Sequence, residues 1–237
     1  MGTVYRLTLR QLAGRWRLII MTLLAALPVV TALLTLRLKA APSIAEFEAA
    51  ALSTLLAGSI LPLVVLAIAA AAFASEVEDR TLANLTLSPL PRWQIAVPKL
   101  AAVLTIALPF AAVSAFATGY VAFLADPRAT IAITVAAAVA VALYSSAFTW
   151  LGLVTTQAIG VGLLYVVLWE GFFSGFVSGV RLLSIRHYAL AWMHGLDERR
   201  FAGLDHLGLP AVVIVSAVVF GGFLWLSVRR LRRMDVP

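Results

Sequence analysis

The chain has 237 residues, of which 62% are hydrophobic and only 12% are charged. A soluble domain of this size carries about 25% charged residues, so the composition excludes a soluble globular protein and predicts an integral membrane protein. The absence of cysteine excludes a disulfide framework, a thiolate metal site and a cysteine nucleophile. The formal net charge of +7 does not indicate nucleic-acid binding, because the basic residues lie at the ends of apolar runs, where they set topology.

Six apolar runs are long enough to cross a membrane, since a helical span needs about 20 apolar residues. Helices are expected rather than strands, because lipid offers backbone groups no partner and the runs exceed the length of a barrel strand. We therefore expect a single all-α transmembrane domain that occupies residues 1–237. The predicted spans are 18–36, 52–75, 100–124, 130–151, 158–177 and 210–228.

The distribution of Lys and Arg predicts that both termini are cytoplasmic. With six spans the termini share a side with the loop at 76–99, and that side holds eleven of the 18 basic residues. Residues 3–17 form a basic amphipathic lead-in, which is either a helix lying in the membrane surface or a flank that only sets topology. No cleavable signal peptide is expected, because the first apolar run begins after four arginines and is long enough to span.

The segment 76–99 is the most charged part of the N-terminal half and lies between two long apolar runs. Residues 76–87 contain neither Pro nor Gly and are predicted to be helical, with Glu76 and Arg80 spaced for an ion pair. Pro89 and Pro91 stop this helix, and Pro98 opens the next. The segment is either a solvated loop or a docking element for a soluble partner. Repulsion of its acids by the cytoplasmic leaflet favours the second interpretation.

The fifth predicted span carries two unusual features. Gly171, Gly175 and Gly179 recur at every fourth residue, a spacing that lets helices approach closely, either within the chain or at a dimer seam. Glu170 places a carboxylate at helix depth, which costs about 2.5–3.5 kcal/mol on insertion scales. We therefore expect Glu170 to face protein or water, either as part of a cargo pathway or as a hydrogen-bonded residue near the outer interface.

The outer segment 180–209 mixes aromatic and charged residues and is expected to form one or two short interfacial helices. It contains the three histidines of the chain, His187, His194 and His206. Their spacing does not match a zinc motif, so we expect surface histidines and no metal site.

The sequence lacks the motifs of several enzyme classes. It has no G-x-x-x-x-G-K-[ST] loop for ATP phosphates, no G-x-S-x-G elbow and no H-E-x-x-H motif. The spans also lack the His or Asp partners that an intramembrane enzyme needs beside its nucleophile. The chain is therefore not expected to be an enzyme itself.

The segment 76–99 resembles the corresponding part of the permeases of type-2 ATP-binding-cassette (ABC) exporters. In that family the second span is followed by two acids two residues apart, Gly-Thr-Leu, a Pro and an Arg, and then a Lys that opens the third span. The matching residues here are Glu76, Glu78, Thr81, Leu82, Pro89, Arg92 and Lys99. The chain departs from the pattern at Arg80, where Gly is usual, and at Pro98, where a small residue often precedes the Lys.

The resemblance implies a short cytoplasmic coupling helix that inserts into a groove of a separate ATPase subunit. The implied coupling residues are Glu76, Glu78, Asp79, Arg80, Thr81, Leu82, Leu85, Pro89 and Arg92. It also implies two copies of this permease, as a homodimer with a seam along the first and fifth spans, and two ATPase copies that bind ATP and Mg. This chain would then bind no cofactor and would export a cargo across a bacterial or archaeal plasma membrane by ATP-driven alternating access.

Two alternatives stay open on sequence alone. One is a haem-exporter-like permease of cytochrome c maturation, which has a similar size and a related acidic loop. The other is a membrane scaffold or assembly factor without transport, although a scaffold has no need of the order of residues in 76–99. The cargo is not readable from the sequence.

Overall fold

The computed structural model describes residues 2–37, 60–73, 91–123, 126–173, 184–201 and 208–233. Within these ranges the chain is helical and contains no β-strand, which confirms the predicted all-α class. The helices are α1 (Gly2–Leu12), α2 (Arg15–Arg37), α3 (Leu61–Ala69), α4 (Trp93–Ala122), α5 (Pro127–Val154), α6 (Ala158–Leu164), a π-helix (Tyr165–Phe173), α7 (Ile185–Leu196) and α8 (Leu209–Arg233).

Four of the described helices are long and apolar enough to cross a membrane. They are Arg15–Leu34, Trp93–Ala122, Pro127–Val154 and Leu209–Arg233. These helices coincide with the predicted first, third, fourth and sixth spans. The predicted second and fifth spans extend beyond the described residues, and their described parts are the shorter apolar helices Leu61–Phe73 and Ala158–Gly171. The count of six spans therefore stays a prediction.

Helix α5 lies at the centre of the bundle and contacts α3, α4, α6, α7 and α8. Its buried face is built from small residues, including Ala132, Ala136 and Ala140 at every fourth position. Gly152 brings α5 against the end of α3, because a Cβ there would lie only 2.6 Å from the carbonyl oxygen of Ala70. Small residues at such contacts let helix backbones approach closely, which is how apolar helices gain packing energy in lipid.

Helix α4 begins earlier than predicted. The sequence placed a loop up to Lys99 and a helix opened by Pro98, whereas the helix begins at Trp93 and contains Pro98 in its second turn. The missing N–H of Pro98 costs one backbone hydrogen bond. Burial of Ile95 and Ala96, each 1% exposed, offsets this cost by packing the first turns against the bundle.

The N-terminal lead-in is a separate helix. Ala13 and Gly14 interrupt the helical backbone, so Arg15 and Arg17 belong to α2 and not to the lead-in. Helix α1 packs against α4, and the Tyr5 hydroxyl donates a hydrogen bond to Thr105 Oγ1 at 3.0 Å. The position of α1 in the membrane surface stays a prediction.

The described part of the outer segment is α7, which packs along α5 and α8 instead of standing apart from the bundle. Phe201, just after α7, packs edge-to-face against Phe123 at the end of α4, with ring centroids 5.8 Å apart. The expectation of surface histidines is wrong for His194, which is 9% exposed and has its Nδ1 2.9 Å from the carbonyl oxygen of Phe201. His194 is buried because α5 and α8 together cover the side of α7 on which it lies. His206 lies outside the described residues.

Candidate functional site

Most of the predicted coupling residues lie outside the residues that the structure describes. They are Glu76, Glu78, Asp79, Arg80, Thr81, Leu82, Leu85 and Pro89. Arg92 is described and stands directly before α4, where its carbonyl oxygen accepts the backbone N–H groups of Ile95 and Ala96 at 3.1 and 3.2 Å. The coupling helix therefore stays a prediction, whereas the point at which the chain enters α4 is defined.

Lys99 is buried at the junction between α3 and α4. Its side chain is 0% exposed, and its Nζ donates to the carbonyl oxygen of Ala72 at 2.5 Å. The same Nζ lies 4.4 Å from the centroid of the Phe73 ring, within the range of a cation–π contact. The ammonium group of Lys99, two turns inside α4, thus binds the short stretch that follows α3.

This burial of Lys99 was not predicted from the sequence. A lysine at the predicted end of a loop is ordinarily solvated, and the earlier start of α4 is what places it within the packed bundle. One feature of the sequence could have indicated burial of Lys99. The residues directly before it, Ala96, Val97 and Pro98, are apolar, and a long apolar run follows it.

Glu170 is also fully buried, at 0% exposure. Its Oε1 accepts hydrogen bonds from the Tyr165 hydroxyl and the Ile185 backbone N–H, both at 2.9 Å, and its Oε2 accepts one from Ser184 Oγ at 2.5 Å. The buried hydroxyl of Tyr144 approaches the same carboxylate from α5. Three donors offset much of the desolvation cost of the carboxylate, as burial of a charged group requires.

The Glu170 network ties the π-helix to the beginning of α7. Ser184 is the N-cap of α7 and accepts the His187 N–H at 3.2 Å while it donates to Glu170. Arg186 donates to the carbonyl oxygen of Glu170 at 3.1 Å. A carboxylate beside the N-terminus of a helix also suits the helix dipole. Because Glu170, Ser184 and Ile185 are all buried, this network lies within the packed bundle, and its depth in the membrane stays a prediction.

The helical type around Glu170 changes at Tyr165. The backbone passes from α-helix to π-helix over Tyr165–Phe173, a form that is rare and frequently found at functional sites. Tyr165 and Glu170 stand five residues apart, and the hydroxyl of the first donates to the carboxylate of the second. The wider turn thus places both side chains on the side that faces Tyr144 and α7.

A cavity of about 390 Å³ adjoins this network between α5, α6, the π-helix, α7 and α8. Six aromatic residues contribute to its lining: Phe148, Trp150, Tyr165, Trp169, Tyr188 and Phe223. Tyr165 and Ile185 each line the cavity and donate a hydrogen bond to Glu170. The volume lies within the range of small-molecule sites, and the lining is mostly apolar, as such sites are.

The predicted glycine seam is only partly visible. Gly171 is exposed, and the nearest atom to an added Cβ would be the Val166 carbonyl oxygen at 3.6 Å, an ordinary contact. Gly175 and Gly179 lie outside the described residues. Neither packing within the chain nor a dimer seam is tested by this geometry.

Within the described ranges, no three His, Asp or Glu side chains come close enough together to hold a metal ion. The main features of the described part are thus the buried Lys99 between α3 and α4, the buried Glu170 at the start of α7, and an aromatic cavity beside Glu170.

The chain belongs to the ABC-2 family of transporter membrane proteins. The family model described as "ABC-2 family transporter protein" matches residues 13–185, which is most of the chain and includes Lys99 and Glu170. Members are transmembrane permease components of ABC transporters and normally work with an ATPase partner. Together with the apolar helices, this membership makes the chain a multi-pass membrane protein and confirms the resemblance. No curated protein matches the chain closely enough to serve as a named relative.

Proposed function

We propose that the chain is the permease subunit of an ABC exporter that moves its cargo across the plasma membrane by ATP-driven alternating access. The observation that carries this proposal is the family match, which spans the acidic segment 76–99 together with the helices on both sides. The sequence has no phosphate-binding loop, which fits a separate ATPase subunit that binds ATP and Mg.

In this proposal, six spans place both termini and the segment 76–99 in the cytoplasm. Residues 76–87 form the coupling helix in a groove of the ATPase, and α1 lies in the cytoplasmic membrane surface. Two copies of the chain pair along the first and fifth spans, with Gly171, Gly175 and Gly179 at the seam. A rigid docked element of this kind would pass the approach of two ATPase subunits on to the membrane helices.

We assign Glu170 to the cargo pathway as a residue that fixes the wall of the aromatic cavity. Its carboxylate holds Tyr165 and Ile185, which both line that cavity. Its oxygens accept bonds from protein donors, so the assignment is to positioning the wall and not to contacting the cargo.

The first test is to isolate the tagged chain from its native host in mild detergent and to identify the proteins bound to it. We expect an ABC ATPase in about equal amount, because family members work with such a partner. If gentle extraction yields no ATPase, the transporter proposal fails and a scaffold without transport becomes the better interpretation.

The coupling residues are tested by reversing three charges at once, with Glu76→Lys, Glu78→Lys and Asp79→Lys. We expect the ATPase to dissociate or its hydrolysis to become independent of the permease, because three repulsive charges would oppose docking. The matched control is Glu198→Lys, a reversal at an exposed acid in the turn after α7. Normal binding and coupling in the triple variant would remove the coupling-helix assignment while leaving the family assignment intact.

A further inference from the structure

We infer that Lys99 is a positioning residue for ATP-driven transport, because its buried ammonium joins the stretch directly after α3 to the first turns of α4. The residues described after α3 run to Phe73, and the next described residue is Pro91. Lys99 therefore fastens together the two helices between which the predicted coupling segment is inserted. This inference rests on the proposed function and adds a residue that is not among the predicted coupling residues.

Lys99 and its two partners, Ala72 and Phe73, form a fully buried contact. Lys99, Ala72 and Phe73 are all 0% exposed, so neither the cation nor its partners lie in a solvated surface groove. The Nζ is within 2.5 Å of the Ala72 carbonyl oxygen and within 4.4 Å of the Phe73 ring centroid. The hydrogen bond fixes the direction of the ammonium, and the ring covers its side.

A carbonyl oxygen has two lone pairs, so it can accept a second donor besides any bond within its own helix. Ala72 lies two residues beyond Ala70, the C-cap of α3, in the described stretch that runs to Phe73. A lysine from α4 donates to this carbonyl and couples its position to that of α4.

Packing alone does not account for a charge at this position. Burying an ammonium is unfavourable, and an unbranched apolar side chain such as Met fills a similar volume without that cost. A hydrogen bond to one particular carbonyl is directional, so it fixes how far one helix is shifted along the other. Apolar contact does not fix this register. A fixed register is what a coupling segment needs if its displacement is to move α3 and α4 together and not slide one past the other.

The chain contains no cysteine, so spin labels can be attached at introduced cysteines without background. Val113→Cys on α4 and Val218→Cys on α8 are suitable sites, because these side chains are 70% and 66% exposed. The labelled chain is assembled with its ATPase in lipid nanodiscs and diluted with unlabelled chain, so that only distances within one chain are recorded. The distance distribution is then measured with and without Mg-ATP.

In the unsubstituted chain we expect Mg-ATP to shift this distance. Lys99→Met should still bind the ATPase but should lose most of this shift, because without the bond to Ala72 a displacement of the coupling segment would slide α3 past α4 instead of moving both. Lys99→Arg keeps a cation with several donors and should preserve the shift. Arg128→Met removes an exposed charge at the start of α5 and should also preserve it.

Lys99→Gln keeps an N–H donor without the charge, and it replaces Lys99→Met if that variant fails to assemble. A full shift in either neutral variant, once it is bound to the ATPase, overturns the role of Lys99 while leaving the transporter proposal in place. An unsubstituted chain that binds no ATPase and shows no shift overturns both.

Discussion

At the scale of single residues, two buried charges each join one helix to a neighbouring segment. Lys99 in α4 donates to the carbonyl oxygen of Ala72 just beyond α3, and Glu170 in the π-helix accepts hydrogen bonds at the N-terminal end of α7. The negative charge of Glu170 also complements the helix dipole at the end it touches. In both cases the charge belongs to a neighbouring helix, so the contact joins two elements that the chain does not connect directly at that point.

Glu170→Ala should destabilise the protein by about 2–5 kcal/mol, because it leaves the Tyr165 hydroxyl, the Ser184 hydroxyl and the Ile185 N–H without their acceptor. Glu170→Gln should cost less, because its carbonyl oxygen still accepts a hydrogen bond. Thermal unfolding of the purified chain in detergent measures the difference. Glu198→Ala, at an exposed position, is the control and should stay within about 0.5 kcal/mol.

Glu170→Gln also tests the pathway assignment once an assay of transport is in place. A folded variant with an altered transport rate supports the assignment of Glu170 to the cavity wall. If the transport rate and its pH dependence both stay unchanged, the assignment of Glu170 to the cargo pathway fails. Glu170 would then have only the structural role of stabilising its hydrogen-bond network.

The sequence predicted one of these two residues and missed the other for a physical reason. Glu170 stands inside an apolar run, where hydropathy alone marks a charge as costly. Lys99 stands at the predicted edge of a run, where a lysine is ordinary, and its burial depends on α4 beginning at Trp93, six residues before it. The partners of Glu170, Ser184 and Ile185, lie 14 and 15 residues away and are brought to it by packing that no local pattern encodes.

At the scale of elements, hydropathy located the long spans well and their ends poorly. The predicted third span began at residue 100, yet tertiary burial of Ile95 and Ala96 extends the helix back to Trp93 despite Pro98. The π-helix at Tyr165–Phe173 had no sequence signal, because its side-chain bonds to α7 involve residues distant in sequence. Local propensity is overridden in both places by contacts with neighbouring helices.

Gly152→Ala should destabilise the packing of α5 against α3. The new methyl group would lie 2.6 Å from the Ala70 carbonyl oxygen, a backbone atom that moves only with its helix, and overpacking of this kind costs about 1–3 kcal/mol. The control is Gly160→Ala in α6, where an added Cβ would meet no described atom within 4 Å. The control should be neutral or slightly stabilising, since Ala is the better helix former.

Thermal unfolding in detergent compares the two glycine variants directly. A melting temperature that falls for Gly152→Ala but not for Gly160→Ala supports the close approach of α3 and α5. Equal melting temperatures would contradict it, because both substitutions add the same methyl group to a helix.

At the scale of the whole molecule, the sequence established the class of protein but not the arrangement of its helices. Composition and apolar runs predicted a helical membrane protein, and the family match covers 13–185. The central position of α5 and the packing of α7 along it were not predictable. Several helices have similar hydropathy, so hydropathy does not distinguish which of them lies at the centre. Which of them becomes central depends on small residues at particular faces, such as Ala132, Ala136 and Ala140.

The predicted topology can be tested with single cysteines, since the natural chain has none. Leu7→Cys and Arg232→Cys report on the two ends of the chain, and Arg128→Cys reports on the turn between α4 and α5. In intact cells, a membrane-impermeant maleimide should label only Arg128→Cys, because the excess of basic residues favours cytoplasmic termini. All three should react after permeabilisation. Labelling of Leu7→Cys in intact cells would show that the N-terminus lies outside and that the predicted topology is wrong.

The alanine-rich face of α5 has a consequence for how the molecule can change shape. Alanine has no side-chain torsions, so the seams around α5 cannot absorb a displacement by exchanging rotamers. A tightly packed seam of this kind either keeps its register or shifts as a whole. We therefore expect α5 to act as a stationary axis of the bundle, around which the helices that carry fewer buried contacts, α2 and α8, change their tilt.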